Sequence, residues 1–186
     1  MTKILGVVGS PRRKGNTDIL VSRVLEGAKN QGAGTEILYL GRLNIRECNG
    51  CHLCWEGREC GKNDDMVEIY PKIIESDVLV LGTPVYWYAP SALMKAFIDR
   101  FVYFNCPENR AKVRGMKAVT AIPFEEKTPE TADLLAKFFE LSLSFLEIEL
   151  VDQLIVPGVS AKGDVLAKED VLASAYKLGV SLATQP

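Results

Sequence analysis

The chain has a single histidine, His52. With no second imidazole, a Ser-His-Asp or Cys-His hydrolase would have to be built on that residue. His52 lies between cysteines, where it reads as an exposed loop residue rather than a base or ligand. Long apolar runs are missing too. The stretch from Ile4 to Gly9 meets proline and charge at once, which is too short for a signal-peptide core or a membrane span. Positive charge is not in excess: 22 Lys and Arg against 24 Asp and Glu give a formal charge of −2. Nothing global therefore attracts nucleic acid or an anionic membrane, and neither is expected as a partner. The carboxylate pairs Glu125-Glu126 and Asp64-Asp65 are adjacent in sequence and read as a solvated loop and a capping turn, not as an acid/base dyad. No catalytic side chain is assigned, so a cofactor must carry any chemistry. The expected location is the cytoplasm, where thiols stay reduced.

What is present is a core. With 186 residues, 47% of them hydrophobic, the chain is long enough for one domain spanning 1–186. "KILGVVG" (3–9) is a near-continuous apolar run, as in a strand buried on both faces of a parallel sheet. Further strands are expected at 35–40, 77–84, 117–123 and 149–157. Helical spacing separates most of them: Ile19, Leu20, Val24 and Ala28 after an Asn16 or Thr17 cap; Leu93, Phe97 and Phe101; Leu135, Phe138, Ser142 and Phe145; and Val171, Ala175, Leu178 and Leu182. Thr128-Pro129 is a helix-start signal. Pro71 predicts a kink or a late start in the helix after the second strand. Strands alternating with helices, without repeats or low-complexity linkers, predict a doubly wound α/β sheet, taken in the order 2-1-3-4-5. In such sheets ligands bind beyond the carboxyl ends of the strands, so the loops at 10–17, 83–90 and 123–128 should converge.

"GSPRRKGNT" (9–17) joins the first strand to a helix N-terminus, whose free N–H groups and dipole favour an anion. Ser10 and Thr17 add hydroxyls and Asn16 an amide; Gly15 belongs to the same turn, and Arg12, Arg13 and Lys14 supply cations. The loop is neither G-x-x-x-x-G-K-[ST] nor G-x-G-x-x-G, which favours a single terminal phosphate over a triphosphate or dinucleotide. "TPVYWYAPS" (83–91) follows the third strand. Pro84 and Pro90 stiffen it, Val85 to Tyr88 can aim backbone N–H groups at a ring edge, and Tyr86 or Trp87 can cover a ring face. One phosphate at one end and a flat ring at the other describe FMN.

Cys48, Cys51, Cys54 and Cys60 follow C-x2-C-x2-C-x5-C, with Gly50 and Gly57 available for turns. Three readings stand side by side: a [4Fe–4S] cluster, free or redox-active thiols, and zinc, although zinc sites more often use two separated C-x-x-C pairs. Cys106 lies apart and reads as a small buried hydrophobe.

These residues resemble the NADPH-dependent FMN reductases of flavodoxin-like fold, and within them the iron–sulfur flavoproteins. Gly9-Ser10, Arg12, Gly15, Asn16 and Thr17 are similar to the family's phosphate loop, Thr83-Pro84-Val85-Tyr86-Trp87 to its ring-binding loop and "KAFIDR" (95–100) to the helix that follows. "CNGCHLC" leading to "CGKNDDM" is similar to the cysteine insert of the iron–sulfur branch, here at about 46–63. The resemblance implies a five-stranded parallel sheet binding FMN. It also implies electron transfer between NAD(P)H, another small molecule or a ferredoxin-like carrier and an acceptor, in a homodimer or homotetramer. A cluster-free NAD(P)H-dependent FMN or quinone reductase is the alternative. A receiver-like module on the same fold would need an acid after the third strand, where this chain has Gly82-Thr83-Pro84. One departure stands out. "IPFEEKTPE" (122–130) lacks the glycine-rich character of the quinone-reducing relatives, so a ring contact from Pro123 or Phe124 does not carry over.

Overall fold

The strands take their places because alternate side chains of each can be buried on opposite faces. In the computed structural model, which describes residues 1–184, β1 (Lys3–Val8), β2 (Gly34–Tyr39), β3 (Val78–Gly82), β6 (Lys117–Pro123) and β7 (Glu149–Val156) form one parallel sheet in the order β2-β1-β3-β6-β7. Two short strands, β4 (Val85–Tyr86) and β5 (Ala89–Pro90), pair antiparallel outside it. Leaving that hairpin aside, the sheet order is the expected 2-1-3-4-5.

Leu5, Val7, Leu79, Leu81 and Ile122 point to one face, where α2 (Met66–Ile74), α3 (Ala92–Asp99) and α5 (Asp133–Phe145) cover them. Ile4, Val8, Val78, Val80 and Val119 point to the other, beneath α1 (Asn16–Asn30) and α6 (Glu169–Thr184). The short α4 (Pro107–Arg110) follows a 3₁₀ continuation of α3, Arg100–Asn105. No helix among the described residues is long and apolar enough to cross a membrane.

Three local expectations are corrected. The N-cap of α1 is Gly15, not Asn16 or Thr17, and no side chain caps it. α2 starts at Met66 and carries Pro71 inside, so the late start is not observed; the ring deprives the Val67 carbonyl of its helical donor in a helix held by Met66, Ile69, Tyr70 and Ile73 in the core. On α5 the fully buried stripe is Leu135, Phe139 and Leu143, whereas Phe145 is exposed, because the helix is rotated from the expected face. The α3 and α6 faces agree with expectation: Phe97, Phe101, Ala175 and Leu182 are buried. Pro129 opens a 3₁₀ turn, Pro129–Ala132, that leads into α5.

Candidate functional site

At the end of β1 the chain is pinned before it turns. Gly9 N donates to Gly82 O at 2.7 Å, and a Cβ on Gly9 would lie 2.8 Å from Met94 Cβ, so glycine lets the end of β1 pack this closely against α3. Arg12 N donates to Ser10 Oγ at 3.2 Å, and Gly15 N closes a turn on Arg12 O at 3.0 Å. The first turn of α1 then faces the crevice with no side-chain cap, with Ser10 and Thr17 buried beside it. Uncapped N–H groups at a helix start, two hydroxyls and the Arg12 guanidinium make a fitting seat for an anion.

The other polar groups of this loop have different work. Asn16 spends its amide on the segment after β7: Nδ2 donates to Ala161 O at 3.0 Å, and Oδ1 accepts from Gly163 N and Val165 N at 3.1 and 3.2 Å. The expected free amide donor is therefore a tie between two loops, although Asn16 still lines the crevice. Arg12 is held similarly, its Nη1 donating to Ser160 O at 3.0 Å. Arg13 stacks over the Tyr39 ring at 4.1 Å. Lys14, at φ 53°, stands on the far side of the loop, where its backbone N donates to Asp18 Oδ2 at 2.7 Å.

The second loop is the β4–β5 hairpin. Ser91 stitches it to the first: its N donates to Thr83 Oγ1 at 3.0 Å and its Oγ donates to Gly9 O. Both tip residues, Trp87 and Tyr88, have left-handed φ values of 51° and 61°, a strained conformation for bulky side chains. Pro84, Val85 and Tyr86 face the crevice, while Trp87, 93% exposed, projects away from it.

The three loops do converge. Together they enclose a cavity of about 210 Å³ at the carboxyl edge of the sheet. Pro123 and Phe124 form part of its wall, as the expected convergence of the 123–128 loop requires: Phe124 N donates to Val156 O at 3.1 Å, and its carbonyl accepts from Val159 N at 2.9 Å. Glu125 and Glu126 also reach the wall. A fourth loop, with Val159, Ser160 and Lys162, was not anticipated from the sequence. The signal was its position after the last strand, since all carboxyl ends of a parallel sheet share one edge. Of the expected cradle and shelf residues, the fold brings Ser10, Arg12, Asn16, Thr17, Pro84, Val85 and Tyr86 to the cavity and leaves Lys14 and Trp87 outside, with Gly15 supplying the turn.

The cysteine loop packs against the 3₁₀ continuation of α3. Gly50, His52 and Gly57 turn it with φ of 65°, 60° and 73°, around a 3₁₀ turn at Leu53–Glu56. His52 is exposed and packs edgewise on Trp55 at 4.3 Å. Cys106 is buried elsewhere, as expected. Cys48, Cys51, Cys54 and Cys60 are all unpaired thiols and all line one cavity of about 20 Å³, with Tyr70, Arg100 and Val102. Burial, followed by the neighbouring Cys60, Cys48 and Cys51, pushes the Cys54 thiol above its ordinary value. Four soft donors around one cavity suit a thiophilic metal group. The space holds about one water, and among the described residues no three His, Cys, Asp or Glu groups stand at metal-binding spacing, so a cluster requires the loop to spread.

Known proteins resemble this chain in sequence and in fold. The sequence model of the NADPH-dependent FMN reductase family matches residues 2–152. An iron–sulfur flavoprotein of Methanocaldococcus jannaschii is 40% identical over 120 residues, 64% of this chain and 62% of that protein. One of Archaeoglobus fulgidus is 29% identical over 161 residues, 87% of this chain and 79% of the relative. The chain thus spans less than two thirds of the length of the first curated relatives it matches, at 62% and 54%. Among solved structures, the NAD(P)H:quinone oxidoreductase from Methanothermobacter marburgensis superimposes with a TM-score of 0.74 at 21% identity, over 97% of this chain and 98% of that one, a likeness of fold.

Proposed function

Because the chain belongs to the NADPH-dependent FMN reductase family, we propose that residues 1–186 form one FMN-binding oxidoreductase of the iron–sulfur flavoprotein kind, moving electrons between NAD(P)H or a ferredoxin-like carrier and an acceptor. The observation that carries this reading is the single cavity with an uncapped helix start, Ser10, Thr17 and Arg12 at one wall and Pro84, Val85, Tyr86, Pro123 and Phe124 at the other. Bound FMN supplies hydride acceptance and one-electron transfer. The chain's own part is to seat the phosphate on the α1 N-terminus, with Asn16 and Arg12 locking the post-β7 loop beside it, and to pack the apolar walls against the ring. The Ser91 bonds hold the two loops at constant separation, which fixes where a ring would lie.

Cys48, Cys51, Cys54 and Cys60 would hold a [4Fe–4S] cluster, which supplies a one-electron relay. A second reading, a cluster-free NAD(P)H-dependent FMN or quinone reductase, is favoured by one observation: the thiols line their cavity without three of them drawn to metal spacing. The exposed apolar side chains of α5 support assembly with a second copy of the chain.

Absorption spectroscopy of anaerobically purified protein tests the proposal. The expected result is a flavin spectrum overlaid by a broad shoulder that dithionite bleaches, with Cys54→Ala losing iron and keeping flavin. A protein that stays colourless after FMN addition overturns both readings. Flavin bands without iron leave the second.

A further inference from the structure

The largest fully buried side chain is a charged one. Arg100, at the junction of α3 and its 3₁₀ continuation, is 1% exposed, and the Asp64 side chain opposite it is 0% exposed. Withdrawing such a pair from water costs several kcal/mol per ion, and apolar residues of similar volume would often serve stability as well. The directions of its bonds suggest what the pair is for. Arg100 Nη1 donates to Asp64 Oδ2 at 2.6 Å and to Arg46 O at 3.0 Å, while Nη2 donates to Cys60 Sγ at 3.1 Å. Asp64 Oδ2 also accepts from Arg46 N at 3.0 Å, and Oδ1 from Met66 N at 3.2 Å. One guanidinium thus ties the first residue of the cysteine insert, the residue after it and the last of its four thiols. The three N–H donors of a lysine all radiate from one nitrogen, so they cannot span the Nη1 and Nη2 positions from which Arg100 reaches Arg46 and Asp64 on one side and Cys60 on the other.

We propose that Arg100 and Asp64 form a buried clamp that closes the neck of the cysteine loop and holds Cys60 in place as one ligand of a four-thiol metal centre. The last clause rests on the iron–sulfur reading above; the closing of the neck does not. Arg100 is a positioning residue, acting through the loop it fixes. Its hydrogen bond to Cys60 sulfur would favour the electron-rich state of a centre bound there, so losing that bond would move the reduction potential of the centre to more negative values.

Two full-length variants test this: Arg100→Lys, and the double variant Arg100→Gln with Asp64→Asn, in which neither charge is left buried alone. Near-ultraviolet circular dichroism and FMN binding report that each has folded. In the iron-free chain, amide hydrogen exchange across residues 44–66 should accelerate several-fold in both variants while β1 and β3 exchange as in the parent. After anaerobic reconstitution, iron per flavin should fall several-fold, and any centre that forms should titrate at more negative potential. Parent-like exchange across 44–66 overturns the clamp, as does parent-like iron content and potential in a variant whose loop has loosened. A parent chain that binds no iron sinks the iron–sulfur reading instead, and the exchange measurement still decides the neck.

Discussion

Asp64 shows how far a single residue can depart from its sequence context. The expected turn before α2 is there, with Asp64 Oδ1 accepting from Met66 N, but Asp65 stands at the N-cap without a side-chain cap bond and the Asp64 carboxylate is buried against Arg100. Burial alone would raise its pKa. The Arg100 hydrogen bond, the Arg46 N–H and the guanidinium charge outweigh burial and leave it below the ordinary carboxylate value. A depressed folded value contributes stability that is complete above the unfolded pKa, about 4, and is lost as pH falls through the folded one. Asp64→Asn should therefore lower stability near neutral pH by about 3 kcal/mol or more. The gap between parent and variant, read from thermal unfolding, should close as pH drops below about 4. A gap unchanged between neutral and strongly acid solution contradicts this account. Arg100 itself was not legible: in "KAFIDR" it looks like any helix-end cation, and its burial depends on a partner 36 positions away. Ser10, Thr17 and Tyr86 were legible because each belongs to the segment that leaves the carboxyl end of β1 or β3, at the edge of the sheet where the crevice lies.

Between helices, α1 and α6 meet backbone to backbone. A Cβ on Gly27 would fall 2.1 Å from Tyr176 O, and one on Gly179 1.9 Å from Val24 O, so each glycine admits the backbone of the opposite helix. Neither obstacle is a flexible side chain, so alanine at either position must push the helices apart. Gly27→Ala and Gly179→Ala should each cost about 1–3 kcal/mol, measured as a lower urea midpoint. Gly41→Ala, whose nearest neighbour would be at an ordinary 3.5 Å, is the control and should stay within about 0.5 kcal/mol. Equal midpoints for all three would refute this packing argument. The strands and the α3 and α6 stripes could be read from periodicity alone, because period and burial agree there. The start of α1, the start of α2 and the buried face of α5 could not. Gly15 caps by backbone conformation, tertiary burial holds α2 together across Pro71, and the α5 sequence offers two apolar faces of similar quality.

For the whole molecule, that second α5 face has a consequence. With Leu141 57% and Phe145 61% exposed, it opens beside Phe101, Val102 and Phe138 on a groove of about 410 Å³. If this face receives a second copy, the chain should sediment as a homodimer or larger homo-oligomer. The paired Leu141→Lys and Phe145→Lys changes should return it to monomer with FMN binding retained. A parent that sediments as a monomer at tens of micromolar removes the homo-oligomer reading. The sequence by itself determined the strands and helices of the sheet, the loops that reach the carboxyl edge and the thiol-rich run, because strand burial, helix period and loop position are local properties repeated along the chain, whereas the strand order was carried over from the fold class and is set by the tertiary structure. Only the tertiary structure decided that Asn16 ties two loops, that Lys14 and Trp87 stand outside the cavity, that the post-β7 loop completes it, and that Arg100 reaches Cys60. Each of these depends on contacts between segments distant in sequence, and a side chain's direction is set by what it meets there.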